Sequence, residues 1–159
     1  MPVITISGED IDFPDSGQSP NWAPAIIRFA ELVTQSLNSF AGPYDVSKQV
    51  ISLNNDVNTN VDAPLLDFPT SAVRGAFIRY TVYRKSDTTT SVMAGNLITV
   101  YNPDASPGNK WDLTNVFSGQ NILTFNITDA GQVQYSTTAL GGVYAEGTLT
   151  YTALAQENS

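Results

Sequence analysis

The sequence predicts a mainly β protein, an antiparallel β-sandwich of about seven or eight strands preceded by one N-terminal α-helix. Three observations predict it. From Tyr44 onward apolar and polar residues alternate with the period of a strand. Gly, Pro, Asn and Asp punctuate that region at short intervals. One stretch alone, residues 21–42, repeats its apolar residues with the period of a helix. The chain of 159 residues divides into an acidic N-terminal arm (1–20), an amphipathic helix (21–42) and a sandwich domain (44–155).

The arm opens with Val3, Ile4 and Ile6, enough for a short strand. Glu9, Asp10, Asp12 and Asp15 follow with no basic residue among them. Ile11 and Phe13 stand between these acids. The arm reads either as a solvated terminus or as a docking arm. In the second case Ile11 and Phe13 enter a partner while Asp12 and Asp15 meet its basic rim.

Asn21 is a good N-cap. Pro24 falls in the first turn, where its missing N–H is harmless. Gly42 and Pro43 form a stop. At about 100° per residue, Trp22, Ile26, Phe29, Val33, Leu37 and Phe40 share roughly 80° of arc. Ala25, Leu32, Ala23 and Ala30 widen that arc to about 180°. Arg28 and Glu31 are the helix's charges and lie opposite, with Thr34, Gln35 and Asn38. So wide a face needs covering, by the sandwich, by a copy of the helix, or by both. The spacing of Trp22, Ile26, Phe29, Val33, Ser36 and Phe40 is that of a short seam around a symmetry axis. Ala30 and Leu37 are the flank expected against the sandwich.

The expected strands run over 46–53, 73–85, 91–101, 110–116, 122–127, 132–136 and 143–153. Asn54 to Asn60 reads as a polar loop. Leu65 to Phe68, bracketed by Pro64 and Pro69, reads as a short edge piece. Ile78, Tyr80 and Val82 share one face, and Phe77, Arg79, Thr81 and Tyr83 the other. Leu149, Tyr151 and Ala153 alternate with Thr148, Thr150 and Thr152, the pattern of a sheet wet on one side. Lys85 to Thr89, Asn102 to Asn109, Asp129-Ala130-Gly131 and Gly141-Gly142 are the turns. Residues 156–159 read as a frayed tail.

Composition narrows the function. The net charge is −8 and the seven basic residues are scattered, which disfavours nucleic acid and anionic membranes as partners. There is no Cys and no His, so thiol nucleophiles, His-based triads and the usual zinc sites are out of reach. No basic leader with a long apolar run opens the sequence, so no signal peptide is expected, and no segment is apolar enough to insert in a membrane. Charged residues make up 14% of the chain, a low share that suits a protein with large permanent contacts.

Asp56, Asn58, Asn60, Asp62 and Asp67 echo a calcium loop, but Val61 replaces the turn glycine and no helix flanks them. An Asn-rich stretch making local turns is the plainer reading. Glu9, Glu31, Glu146, Glu157 and Asp112 do not pair into a hydrolase site. No metal, cofactor or catalytic residue is expected, and the protein is not expected to be an enzyme. Trp111, Tyr83 and Tyr101, together with Tyr144, are candidate exposed aromatics for stacking on a sugar. They support the alternative of a carbohydrate-binding sandwich that recognises a host-cell surface glycan.

The tract Ala76-Phe77-Ile78-Arg79-Tyr80-Thr81-Val82-Tyr83-Arg84-Lys85 is followed by Gly95-Asn96-Leu97-Ile98-Thr99-Val100-Tyr101-Asn102 and Leu123-Thr124-Phe125-Asn126-Ile127. Gly131-Gln132-Val133-Gln134-Tyr135 and Gly147-Thr148-Leu149-Thr150-Tyr151 close the series. In this order the tracts resemble β-rich virion proteins of tailed bacteriophages, of the fibre, neck and tail-appendage kind. The resemblance spans about half the chain. It implies a structural virion subunit made in the host cytoplasm, a trimer without catalytic residues. Its arm and helix would then attach it to other virion proteins and join its copies.

Overall fold

The computed structural model describes residues 3–6, 9–12, 22–40 and 42–157, and the side chains of 24–33 and 42–157. The chain forms two compact units, Met1–Pro43 and Tyr44–Ser159.

In the first unit β1 (Val3–Ile6) pairs with β2 (Glu9–Asp12) in an antiparallel hairpin, with Val3 opposite Asp12 and Ile6 opposite Glu9. The helix α1 (Trp22–Phe40) passes close to both strands. Among the described side chains of α1, Leu32 is buried, while Ala25 and Val33 are half-buried. Ile26, Ile27 and Phe29 are exposed. Arg28 and Glu31 pair at 3.3 Å one turn apart. No helix among the described residues is long and apolar enough to cross a membrane.

The second unit holds eight strands, β3 (Val46–Ser52), β4 (Val57–Asp67), β5 (Val73–Ser86), β6 (Thr90–Tyr101), β7 (Trp111–Gly119), β8 (Leu123–Ile127), β9 (Gln132–Thr137) and β10 (Tyr144–Glu157). They make a five-stranded sheet in the order β3-β10-β5-β6-β7 and a three-stranded sheet in the order β4-β9-β8, antiparallel throughout. This is the sandwich the alternation predicts. Ile78, Tyr80 and Val82 of β5, Leu97 of β6, and Leu149 and Tyr151 of β10 are all buried. They meet Phe68, Leu123 and Val133 from the other side of the core. Two contacts bridge the layers: the Tyr80 and Phe125 rings lie edge-on at 4.8 Å, and the Tyr151 hydroxyl donates to the Pro64 carbonyl at 2.6 Å.

Two expectations need correction. The Asn54–Asn60 loop is short, because β4 begins at Val57. Asn58, Thr59 and Asn60 are exposed on an edge strand, where polar side chains stay in water and need no burial. The expected fraying from residue 156 is also wrong over Gln156 and Glu157. Both belong to β10, Gln156 pairing with Gly75 and Glu157 with Val73 on either side of a register shift. The edge position expected near Pro64 holds, since β4 borders its sheet. Pro64 lies where the ladder to β9 shifts register between Asp62 and Asp67, and Leu65 there adopts φ 63°.

Candidate functional site

The outer face of the five-stranded sheet is the most distinctive surface of the second unit. The strand registers lay its residues out in rows. Leu154, Phe77 and Ile98 stand side by side across β10, β5 and β6. Gln156, Gly75 and Val100 form the next row towards one end. Arg79, Asn96 and Val116 form the row on the other side. Leu154 is 68% exposed, Val100 55% and Phe77 52%. An uncovered run of large apolar side chains on a sheet face marks an interaction surface.

A groove of about 440 Å³ runs along this face, lined among others by Arg74, Gly75, Phe77, Ile98, Val100 and Leu154. Gly75 makes its floor. A Cβ at that position would lie 2.7 Å from the Thr99 carbonyl oxygen, so β6 approaches as closely as it does because position 75 has no side chain. Arg74 stands at the groove with its guanidinium 5.5 Å from the centre of the Tyr101 ring. The row of Gly75 and Val100 continues across β7 to the exposed Asp112, so the groove is apolar at the bottom and bordered by an acid on that side. A glycine within a strand signals such an approach in the sequence, yet the groove itself needs the pairing of three strands to exist.

No protein-family model matches the chain, and no curated protein matches it. Among solved structures it is similar to the tailspike protein of Acinetobacter phage vB_ApiP_P1, at 11% identity and a TM-score of 0.42. That match covers 69% of this chain and 22% of the tailspike. It is also similar to the tailspike protein of Acinetobacter baumannii phage AM24, at 12% identity and a TM-score of 0.34, covering 72% of this chain and 26% of that one. The chain thus spans about a quarter of the length of these two proteins.

The structure does not bring the candidate sugar-stacking residues together. Trp111, expected to be exposed, is only 6% exposed. It lies on the inner face of β7 between Phe68, at 6.5 Å, and Tyr101, at 5.3 Å. Alternation separates two faces of a strand without saying which one the other sheet will cover. Tyr101 is half-buried on the inner face, under Arg74. Tyr83 is exposed on the outer face, opposite Val92. At about 3.3 Å per residue along β6, Val92 and Tyr101 are roughly 30 Å apart. Tyr144 is half-buried and donates its hydroxyl to the Leu53 carbonyl at 2.5 Å.

The acids are equally dispersed. Asp112 and Glu146 are exposed on different strands. The extended β4 spreads Asp62 and Asp67 along its length, and Asp62 accepts from the Gln134 amide at 2.7 Å. Among the described residues no three acids gather in a group that could hold a metal ion. Asp129 accepts from the backbone N–H groups of Gly108 and Lys110, which hold its carboxyl below the usual carboxylate range. That is a loop anchor. Burial raises the phenol pKa of Tyr80 and Tyr135, and burial with the neighbouring Tyr135 pushes Tyr151 up to about 12, so these hydroxyls stay neutral at pH 7.

Of the residues expected at an oligomer interface, Ile26 and Phe29 are exposed and Val33 is half-buried. The side chains of Trp22, Leu37 and Phe40 lie outside the described residues, as do Phe13 and Asp15 of the expected docking arm. Ile11 and Asp12 fall in β2, with their side chains likewise outside them.

Proposed function

We propose that the protein is a structural subunit of a tailed-phage virion, a homotrimer built on α1 and attached to the particle through its N-terminal arm. One observation carries this reading: apolar surface stands uncovered on each of the two units. Ile26, Ile27 and Phe29 are exposed on α1, and Leu154, Phe77, Ile98 and Val100 on the outer sheet. A chain with this much exposed apolar surface is completed by partners. The order of strand tracts from Ala76 to Tyr151, which resembles β-rich virion proteins, supports a phage particle as the setting.

Sedimentation equilibrium of the full chain tests the assembly. A trimer at micromolar concentration is expected, and a clean monomer would sink this reading. Mass spectrometry of purified particles from the source phage tests the setting, with the protein expected in stoichiometric amount.

A further inference from the structure

The second unit has edge strands on both sheets, β3 and β7 on the larger, β4 and β8 on the smaller. An edge presents unpaired N–H and C=O groups that invite another strand, and proteins blunt the edges they do not use. β4 is blunted at a cost. Pro64 has no N–H, the ladder to β9 shifts register twice, and Leu65 takes φ 63°, a region costly for a residue bearing a Cβ. The Gln132 side-chain amide donates to the Ala63 carbonyl at 3.0 Å and the Leu66 carbonyl at 3.2 Å, and the Tyr151 hydroxyl to the Pro64 carbonyl at 2.6 Å. Those carbonyls are thereby taken up within the chain. β8 is short, five residues. β7 carries none of these devices. Its nine residues all pair with β6 without a shift, and they include no Pro, Lys or Arg.

The phase of the hydrogen bonds tells which groups stand free. The Gln120 N–H donates to the Val92 carbonyl and the Asn102 N–H to the Lys110 carbonyl. In that phase Asp112, Thr114, Val116 and Ser118 bond to β6, while Leu113 and Asn115 turn their N–H and C=O groups outward. On β3 the Leu53 N–H donates to the Gly147 carbonyl, so Gln49 and Ile51 bond to β10 while Val50 and Ser52 turn outward.

We infer that β7 of one copy pairs in parallel with β3 of the next, with Asp112 beside Lys48. This rests on the homotrimer reading above and names one of its contacts. Direction, charge and phase each select β3 of a second copy. Every strand of the five-stranded sheet is antiparallel to its neighbours, so its two edges, β3 and β7, run the same way. Rotation about an axis along the strands therefore brings β7 beside a parallel β3. Asp112 is the one charged residue of β7 and Lys48 that of β3, and both are exposed. Among the described residues neither makes an ion pair within its own chain. Lys110, the nearest cation along β7, gives its ammonium to the Pro103 carbonyl at 2.8 Å. With Asp112 beside Lys48, Thr114 meets Val50 and Val116 meets Ser52 on the outer side, and Asn115 meets Ile51 on the inner. The same alignment interleaves the outward groups of Leu113 and Asn115 with those of Val50 and Ser52, giving roughly three main-chain hydrogen bonds in a parallel ladder. The contact is heterologous, one edge meeting a different edge, and repeated around an axis it closes into a ring of which a trimer is the smallest.

Sedimentation equilibrium and thermal unfolding of full-length variants test the contact. Lys48→Glu and Asp112→Lys, both at exposed positions, should each unfold near the wild-type temperature and associate at least ten-fold more weakly. Combined, they reverse the pair and should restore association. Val50→Pro removes an N–H that points away from β10, so it should weaken association with the β spectrum kept, whereas Val50→Thr keeps that N–H and should associate as the wild type does. A wild-type trimer that Lys48→Glu, Asp112→Lys and Val50→Pro leave intact, but that Ile26→Asp dissociates, overturns this contact and spares the trimer. Failure of the double charge reversal to restore association also overturns it. A wild-type monomer overturns both.

Discussion

Arg84 is a fully buried cation with no carboxylate beside it among the described residues. It donates to the Ile122 carbonyl at 3.0 Å, to the Asn55 backbone carbonyl, and to the Asn55 side-chain oxygen at 3.1 Å, with the Tyr144 ring 5.7 Å away. Its stem comes from β5, and its guanidinium ties down the chain before β4 and before β8. Arg84→Ala should cost about 3 kcal/mol, since hydrogen bonds from a charged donor are lost and their acceptors stay buried. A urea midpoint shift at unchanged slope would report it. Leu65 predicts the opposite sign: Leu65→Gly should gain up to about 1 kcal/mol from released strain, less the flexibility glycine adds to the unfolded chain. Asp129 gives a pH test. Its folded pKa is depressed, so its contribution is full above the unfolded pKa and is lost as pH falls through the folded one. The gap in unfolding temperature between wild type and Asp129→Asn should be constant at neutral pH and vanish in strong acid. None of these three roles was readable beforehand. Arg84 looks like any strand Arg, and what its guanidinium meets is decided by loops far away in sequence.

The strands were legible where alternation is strong. Ile78, Tyr80 and Val82 of β5 and Leu149, Tyr151 and Ala153 of β10 are buried in the expected phase. β4 was obscured because Asn58 and Asn60 have poor strand propensity, and its pairing with β9 is broken by two shifts of register. Pro64 did carry a signal, as proline in a strand belongs to an edge or a bulge. The turn into β9 is similarly determined. Gly131 has φ 100°, and a Cβ there would run into the Phe68 carbonyl oxygen, the residue whose N–H bonds Gly131 at 3.1 Å. Gly131→Ala should therefore destabilise by about 2–3 kcal/mol, measurable by thermal unfolding. For α1, the wide apolar arc was plain in the sequence but its division was not. Leu32, assigned to a flank, is the buried one among the described side chains of α1, while Ile26 is 54% exposed. Ile26→Asp should accordingly leave the circular dichroism spectrum intact and lower the oligomer mass.

For the whole molecule, low charge content and the absence of Cys and His narrow function from the sequence alone, and large apolar side chains are exposed on both units. Deleting residues 1–16 should leave the second unit folded, as judged by its unfolding transition, while the protein drops out of purified particles. What the sequence could not convey is neighbourhood. β5, β6 and β7 pair through consecutive connections, but β10 inserts between β5 and β3, matching Thr148 to Ser52. This insertion has a consequence for synthesis on the ribosome. While residues 144–157 are still in the exit tunnel, β3 has no strand to join, and the row of Leu154, Phe77 and Ile98 lacks its first member. The β5-β6-β7 meander can form early because its contacts are local, yet the outer face of the five-stranded sheet is complete only once β10 has joined it.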